Sequence, residues 1–318
     1  MRAEATVVKN AGSHYLLSHL PEWNLFPAVL RGRVRLERSS STNPVAVGDK
    51  VIYEAEGEVN EQNPAVIKEI LPRSNYLIRK STNLSRQSHV IAANLDQCVL
   101  VVTITNPSTS TTFIDRFLAT AEAYNIPTTI VFNKIDLLNE DQLEYLKAMD
   151  YLYRSIGYNT LQISATQDIG INNLHQLLQN KITLLSGNSG VGKSTLINAL
   201  NGNLNLETGE ISDKLGRGRH TTRQAEIFEV GEGLVIDTAG FSSIDFTADN
   251  RIYSDELQHF FREFAEHIEE CRFTGCSHLG DKGCRICELV AQGKISDSRH
   301  ESYKAIFSEV KNNQKWNA

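Results

Sequence analysis

Residues 187–195 read GNSGVGKST, and residues 133–136, more than fifty positions earlier, read NKID. The first stretch fits G-x-x-x-x-G-K-[ST]. Gly187 and Gly192 permit a backbone wrap that side chains would block. The N–H groups from about Ser189 to Thr195 can then converge on a β-phosphate, with Lys193 reaching the β/γ oxygens and the Ser194 hydroxyl reaching Mg²⁺. The context is right, because the strand-like KITLL precedes the motif and the helical KSTLINAL follows it. A phosphate loop alone does not choose a base. NKID does, because Asp136 can accept from both N1–H and the 2-amino group of guanine. Adenine would leave that buried acceptor unpaired. Asn133 would tie this loop to the phosphate loop, and the Lys134 stem would cover the base.

Three further segments complete the set. SAT at 164–166 follows the next strand, where a backbone N–H of Ser164 or Ala165 could meet guanine O6. DTAG at 237–240 ends a strand, with Asp237 placed to hold Mg²⁺ through water and the Gly240 N–H to meet the γ-phosphate. Between phosphate loop and DTAG lies KLGRGRHTTR, with the composition of a switch. Thr221 and Thr222 are its candidates for Mg²⁺, Thr222 preferred, and either could instead cap a turn. The nucleotide set is therefore Asn133, Lys134, Asp136, Ser164, Ala165, Gly187, Asn188, Ser189, Gly190, Val191, Gly192, Lys193, Ser194, Thr195 and Gly240, with Ser194, Thr222 and Asp237 for magnesium. The order is the usual one cut between its phosphate and base halves, with the halves exchanged. Such a circular permutation keeps spatial neighbours if the old termini lay close together.

The surrounding chain divides into three parts. Residues 1–72 carry five short apolar or alternating runs (ATVVKN, HYLLSHL, FPAVLRGRVRL, GDKVIYEA, PAVIKEIL) punctuated by Gly and Pro, the pattern of a small OB-type barrel. Such barrels often bind nucleic acid, an analogy of fold only. Residues 73–250 alternate strand and helix, which predicts a parallel sheet with ligands at the strands' carboxyl ends. Residues 251–318 contain CRFTGCSHLGDKGCRIC. Cys271, Cys276, His278 and Cys284 offer three thiolates and an imidazole, a closed tetrahedral set of the structural Zn²⁺ kind. Cys284-x-x-Cys287 is itself ligand-like, although Cys287 is expected one turn along a helix and pointing elsewhere. Cys98 reads as a core thiol.

Composition bounds the class. The 318 residues, 41% hydrophobic, allow one large core and small satellites. No run of eighteen apolar residues occurs, so no membrane span is expected. The N-terminus reads as a strand rather than a signal peptide. Four of the five cysteines crowd into 271–287, which points to metal in a reducing compartment and so to the cytoplasm. The net charge of −6 speaks against nucleic acid, yet RGRVRLER, RSNYLIRKSTNLSRQSH and DKLGRGRHTTR are locally basic. They suit phosphate backbone or simply a solvated face.

Through RKSTNLSRQSHVIAANLDQ, NKID, GNSGVGKSTLINAL, GRGRHTTR, DTAGF and the Cys/His spacing, the chain resembles the circularly permuted RsgA GTPases over nearly its full length. The resemblance implies a monomeric GTP hydrolase cycling between GTP and GDP. It implies slow intrinsic turnover stimulated by the 30S ribosomal subunit, a role in late maturation of that subunit, docking on 16S rRNA, one structural Zn²⁺ and Mg²⁺ with the nucleotide. Phe241 stands where many GTPases carry a water-positioning glutamine, so another group must place the water. His220 in the switch segment is the candidate, against a plain RNA-contact or surface role. Ala239 stands where the family usually has proline. Because DTAG directly precedes the Cys/His part, loss of the γ-phosphate could release that switch and move the zinc domain.

Overall fold

The computed structural model describes residues 1–30, 44–80, 88–200, 226–237 and 252–315. Five strands, β1 (Arg2–Ala11), β2 (His14–Ser18), β3 (Phe26–Leu30), β4 (Lys50–Glu54) and β5 (Ala65–Ile70), run in the order β1-β2-β3-β5-β4 and close by pairing of β4 with β1. Alternate residues turn inward: Val7, Tyr15, Leu17, Val51, Tyr53, Ala65 and Ile67 fill the barrel. This ring of five described strands has the strand count of an OB-type barrel. The expected third strand is described only to Leu30; residues 31–43 lie outside the described chain. Alternation along β1 sends Val7 into the barrel core and Val8 into the neighbouring core, and the register of β1 on β2 shifts between Val7 and Lys9.

The next pair, β6 (Tyr76–Lys80) and β7 (Ser88–Ala93), is an antiparallel two-stranded sheet that sequence reading registered only as a basic stretch. Its Leu77 and Ala92 are buried in the same core as Val8 and Val47 of the barrel. Arg73 grips the buried Asp49 with Nε to Oδ1 at 2.6 Å and Nη2 to Oδ2 at 2.7 Å, joining barrel to hairpin.

Beyond it lies the nucleotide-type sheet. β8 (Gln97–Val102), β9 (Thr128–Phe132), β10 (Asn159–Gln162), β11 (Ile182–Ser186) and β13 (Gly233–Asp237) are parallel in the order β10-β9-β8-β11-β13. Antiparallel β12 (Glu226–Val230) follows β13 and meets β1 through the Lys9–Glu226 pair. Every residue of β8 is buried, which is why QCVLVV reads as a continuous apolar run rather than an alternation. Burial pushes the Cys98 thiol far up, the state of a core thiol. The helices are α1 (Thr111–Ala123), α2 (Glu140–Ser155), α3 (Ile171–Leu178) and α4 (Lys193–Leu200). Ser110 caps α1, and Asn139 with Gln142 forms a reciprocal capping box on α2. The loops after β8, β9, β10 and β11 therefore share the carboxyl edge of one sheet, where β13 also ends.

The C-terminal part holds α5 (Arg262–Ala265), α6 (Arg285–Ala291) and α7 (Asp297–Lys315) around Phe261, Phe264, Ile286, Leu289, Tyr303 and Ile306. It packs on α1, which is buried on two sides. Ile114, Phe117, Leu118 and Ala121 belong to the core of the parallel sheet, Ala119 to the C-terminal core. Charged clamps reinforce the seam. Arg299, 1% exposed, donates to Asp115 of α1 at 2.7 Å and to Glu263 at 2.6 and 3.0 Å, while the Tyr153 hydroxyl donates to Asp115 at 2.8 Å. Desolvation opposes the charge on Arg299, but the carboxylates of Asp115 and Glu263 outweigh it and hold the guanidinium well above its usual pKa. Arg116 pairs with Glu309 at 2.8 and 2.5 Å, and Arg262 pairs with Glu122 at 2.7 Å while lying 4.1 Å over the Tyr158 ring. Removing one partner of a buried pair strands the other. Arg299→Ala is expected to cost about 3–5 kcal/mol in urea unfolding, against about 0–1 kcal/mol for Glu309→Ala at the half-exposed pair. Equal small losses for both would show that the seam is held by apolar packing alone.

Candidate nucleotide site and metal cluster

The phosphate-loop stretch joins β11 to α4. Gly187 has φ 148°, and a Cβ there would lie 2.3 Å from the Val101 carbonyl oxygen of β8; Gly192 has φ 96°, and its Cβ would lie 2.6 Å from Nδ2 of Asn133. Both places are occupied by neighbouring strand and loop, so only glycine fits. Val191 between them is fully buried and pins the loop to the core. Lys193 Nζ spans the loop, donating to the carbonyls of Gly187 at 2.7 Å and Asn188 at 2.9 Å. Ser194 and Thr195 sit half-buried in the first turn of α4, whose N–H groups lack intrahelical acceptors and favour an anion.

NKID folds against this loop. Asn133 is buried; its Nδ2 donates to the Val191 carbonyl at 2.8 Å and its Oδ1 accepts from the Ala165 N–H at 3.3 Å, so one side chain joins three loops. Lys134 takes a left-handed backbone at φ 63°, and its Nζ donates to the carbonyls of Asn106 at 2.5 Å and Gly190 at 2.7 Å. Asp136 lies exposed in the single turn Ile135–Leu137, and no described residue hydrogen-bonds its carboxylate. The acceptor pair is left open. Ser164 is fully buried; its Oγ accepts from the Gln167 N–H at 3.1 Å and its backbone N–H bonds the Ile169 carbonyl at 3.0 Å, which shapes the turn holding Ala165.

The loop after β8 is a wall that sequence reading missed. The Asn106 carbonyl holds Lys134, and the Pro107 ring comes within 3.4 Å of where a Cβ on Gly190 would sit. NPST at 106–109 signals a turn, but none of its side chains signals nucleotide chemistry. Asp237 ends β13 in register with Leu185 of β11, beside the start of the phosphate loop. His220, Thr222 and Gly240 lie outside the described residues.

A second constellation stands in the C-terminal part. The ligating atoms of Cys271, Cys276, His278 and Cys284 all lie within 4.8 Å of one another. His278 Nδ1 is 3.7 Å from Cys271 Sγ and 3.4 Å from Cys284 Sγ. A tetrahedral zinc ion with ordinary bond lengths spaces nitrogen from sulfur by about 3.6 Å. The Arg285 N–H points at Cys271 Sγ and the Cys287 N–H at Cys284 Sγ, each at 3.4 Å, as suits sulfur carrying negative charge. Burial pushes the Cys276 thiol up to about 12 and the Cys284 thiol up to about 11, so a cation is what makes thiolates favourable here. Cys287 adds its N–H to the cluster, while its thiol lies 3.6 Å from the His278 carbonyl and beside the Cys284 side chain, outside the group of four mutually close ligand atoms. The four side chains thus fit a zinc ion.

A parallel sheet carrying a phosphate loop after β11 and a guanine-type loop on the earlier strand β9 defines a circularly permuted P-loop GTPase. The model of the RsgA GTPase family matches residues 70–247. A small ribosomal subunit biogenesis GTPase RsgA of Phocaeicola vulgatus is 45% identical over 307 residues, spanning 95% of this chain and 96% of the relative. Its namesake from Flavobacterium psychrophilum is 42% identical, over 95% and 91%. Among solved structures, YjeQ from Thermotoga maritima superposes with a TM-score of 0.77 at 33% identity, covering 98% of this chain and 99% of that one. YloQ, described as a circularly permuted GTPase, gives 0.74 at 28% identity, covering 98% and 96%. The chain belongs to the RsgA GTPase family and is a hydrolase acting on GTP.

Proposed function

We propose that this GTPase acts in late maturation of the small ribosomal subunit, docking on the 30S particle and its 16S rRNA in one nucleotide state and leaving in the other. The observation that carries the reading is 45% identity over 95% of the chain to a relative named for small ribosomal subunit biogenesis. In this reading the protein works as a monomer in the cytoplasm, where that subunit is assembled. The three working parts are a barrel at 1–72, the GTPase part at 73–250 and a zinc part at 251–318. The barrel's β4–β5 loop exposes Glu56, Glu58 and Glu61 and would repel phosphate. Docking would then use other surfaces of the barrel and the zinc part, with the basic segments at 31–38 and 79–89 as candidate phosphate contacts.

Guanine rests on Asp136 and under the Lys134 stem, with the Ala165 N–H turning from Asn133 to O6. The N–H groups of 187–195 enclose the β-phosphate, and Lys193 exchanges its two loop carbonyls for phosphate oxygens. Ser194, Thr222 and Asp237 would hold Mg²⁺, which when bound neutralises charge on the β- and γ-oxygens. Gly240 contacts the γ-phosphate. His220 orients the attacking water where Phe241 cannot. The zinc ion is structural, held by Cys271, Cys276, His278 and Cys284.

The test is GTP turnover with added mature 30S, using 50S as control. Stimulation by 30S alone is expected; none, or equal stimulation by 50S, would overturn the reading. In the same assay at saturating GTP and 30S, His220→Ala should slow turnover by about 10²- to 10⁴-fold, with affinity for a non-hydrolysable analogue unchanged. Turnover within about twofold of the parent would mean that backbone or RNA places the water.

A further inference from the structure

The zinc cluster has a fifth participant that no ligand spacing announces. His278 is fully buried, and its Nε2 faces Oε1 of Gln258 at 2.6 Å. The orientation of that amide is fixed independently, because its Nε2 donates to the Asp255 carbonyl at 2.9 Å. The oxygen must therefore face the imidazole. An oxygen acceptor requires a proton on His278 Nε2, which leaves the lone pair on Nδ1, the atom 3.4 and 3.7 Å from the sulfurs of Cys284 and Cys271. The His278 backbone is also held, with φ 57° and its carbonyl accepting from His300 Nε2 at 2.7 Å.

We infer that Gln258 is a positioning residue of the metal site, selecting Nδ1 of His278 as the ligand and raising its basicity. This rests on the zinc reading given above. Gln258 also stands on the first described stretch after DTAG, between Leu257 and Phe261, both fully buried in the core that includes Ala119 of α1. Metal binding thereby fastens the segment leaving the DTAG loop onto the helix that carries the C-terminal part. Loss of the ion would loosen residues 252–261 as well as the cysteine loop.

Zinc stoichiometry of the purified parent protein is measured first; its absence refutes the zinc reading and the inference with it. Affinity then comes from competition with a chromogenic chelator. Gln258→Leu should bind zinc about 10- to 100-fold more weakly, while Gln258→Glu, which keeps the acceptor, should stay within about threefold of the parent or bind more tightly. Amide hydrogen exchange at 252–261 should rise on chelation in the parent and be raised already in zinc-loaded Gln258→Leu. If zinc is present but Gln258→Leu binds it within twofold of the parent, the inference alone falls. It falls equally if Gln258→Glu loses as much as Gln258→Leu, because an acceptor oxygen on this side chain would then not be what supports the metal site.

Discussion

With Asp136 replaced by asparagine, GTP affinity is expected to fall by about 10²- to 10⁴-fold, and xanthosine triphosphate is expected to bind in its place. The carboxylate offers two acceptors to guanine N1–H and the 2-amino group, and charge-assisted bonds contribute about 1.5–3 kcal/mol each. An asparagine presents an NH₂ to one of those donors. Xanthine carries oxygen at C2, which suits that NH₂. Because Asp136 is exposed and no described residue bonds its carboxylate, the exchange leaves the loop intact. Asn133 and Lys134, which brace the scaffold, are untouched. Equilibrium titration with both nucleotides reads the switch. Unchanged GTP affinity would remove Asp136 from base recognition.

Cys276→Ala is expected to release the zinc and to destabilise the C-terminal part severely, since structural zinc contributes on the order of 10 kcal/mol in small sites. The loop from Cys271 to Cys284 is mostly exposed and has little core of its own. Its order depends on the four ligands and on the Asp281 carboxylate, which accepts from the Ser277 N–H at 2.9 Å and its hydroxyl at 2.7 Å. The aromatic core around Phe264 and Tyr303 touches the cluster through His278. Damage therefore spreads inward. Metal analysis together with limited proteolysis reads it; purified parent protein without stoichiometric zinc would contradict the zinc assignment.

The nucleotide loops were legible because their chemistry constrains residue type. Gly187 and Gly192 must be glycine, because a Cβ at either would collide with Val101 or Asn133. The strands of the barrel and the parallel sheet were legible from periodicity and continuous apolar runs. The β6–β7 hairpin was not. Its charges (Arg79, Lys80, His89) drew attention from Leu77, Ile78, Val90 and Ala92, which are buried. Arg299 in SDSRHES looks like any surface arginine, and Asp115 in FIDRF like any helix acid; only tertiary packing pairs them. Gln258 and the Asn106 carbonyl act through a side-chain oxygen and a main-chain oxygen that no spacing rule marks.

The seam on α1 bears on how a γ-phosphate signal would travel. Moving the whole zinc part would break the Arg299–Asp115 pair, about 3–5 kcal/mol if either charge is left alone. The described chain after DTAG resumes at Ile252, which with Leu257 and Phe261 is buried in the same core as Ala119 of α1, so a signal reaching 252–261 would act on that core.

That NKID and GNSGVGKST, exchanged in order, serve a single nucleotide is tested most directly by a crystal structure with Mg²⁺ and a non-hydrolysable GTP analogue. The expected result is one nucleotide per chain, its N1–H and 2-amino group on the Asp136 carboxylate and its β-phosphate enclosed by the N–H groups of 187–195. A nucleotide whose phosphates fill that loop while its base lies away from Asp136 would contradict it.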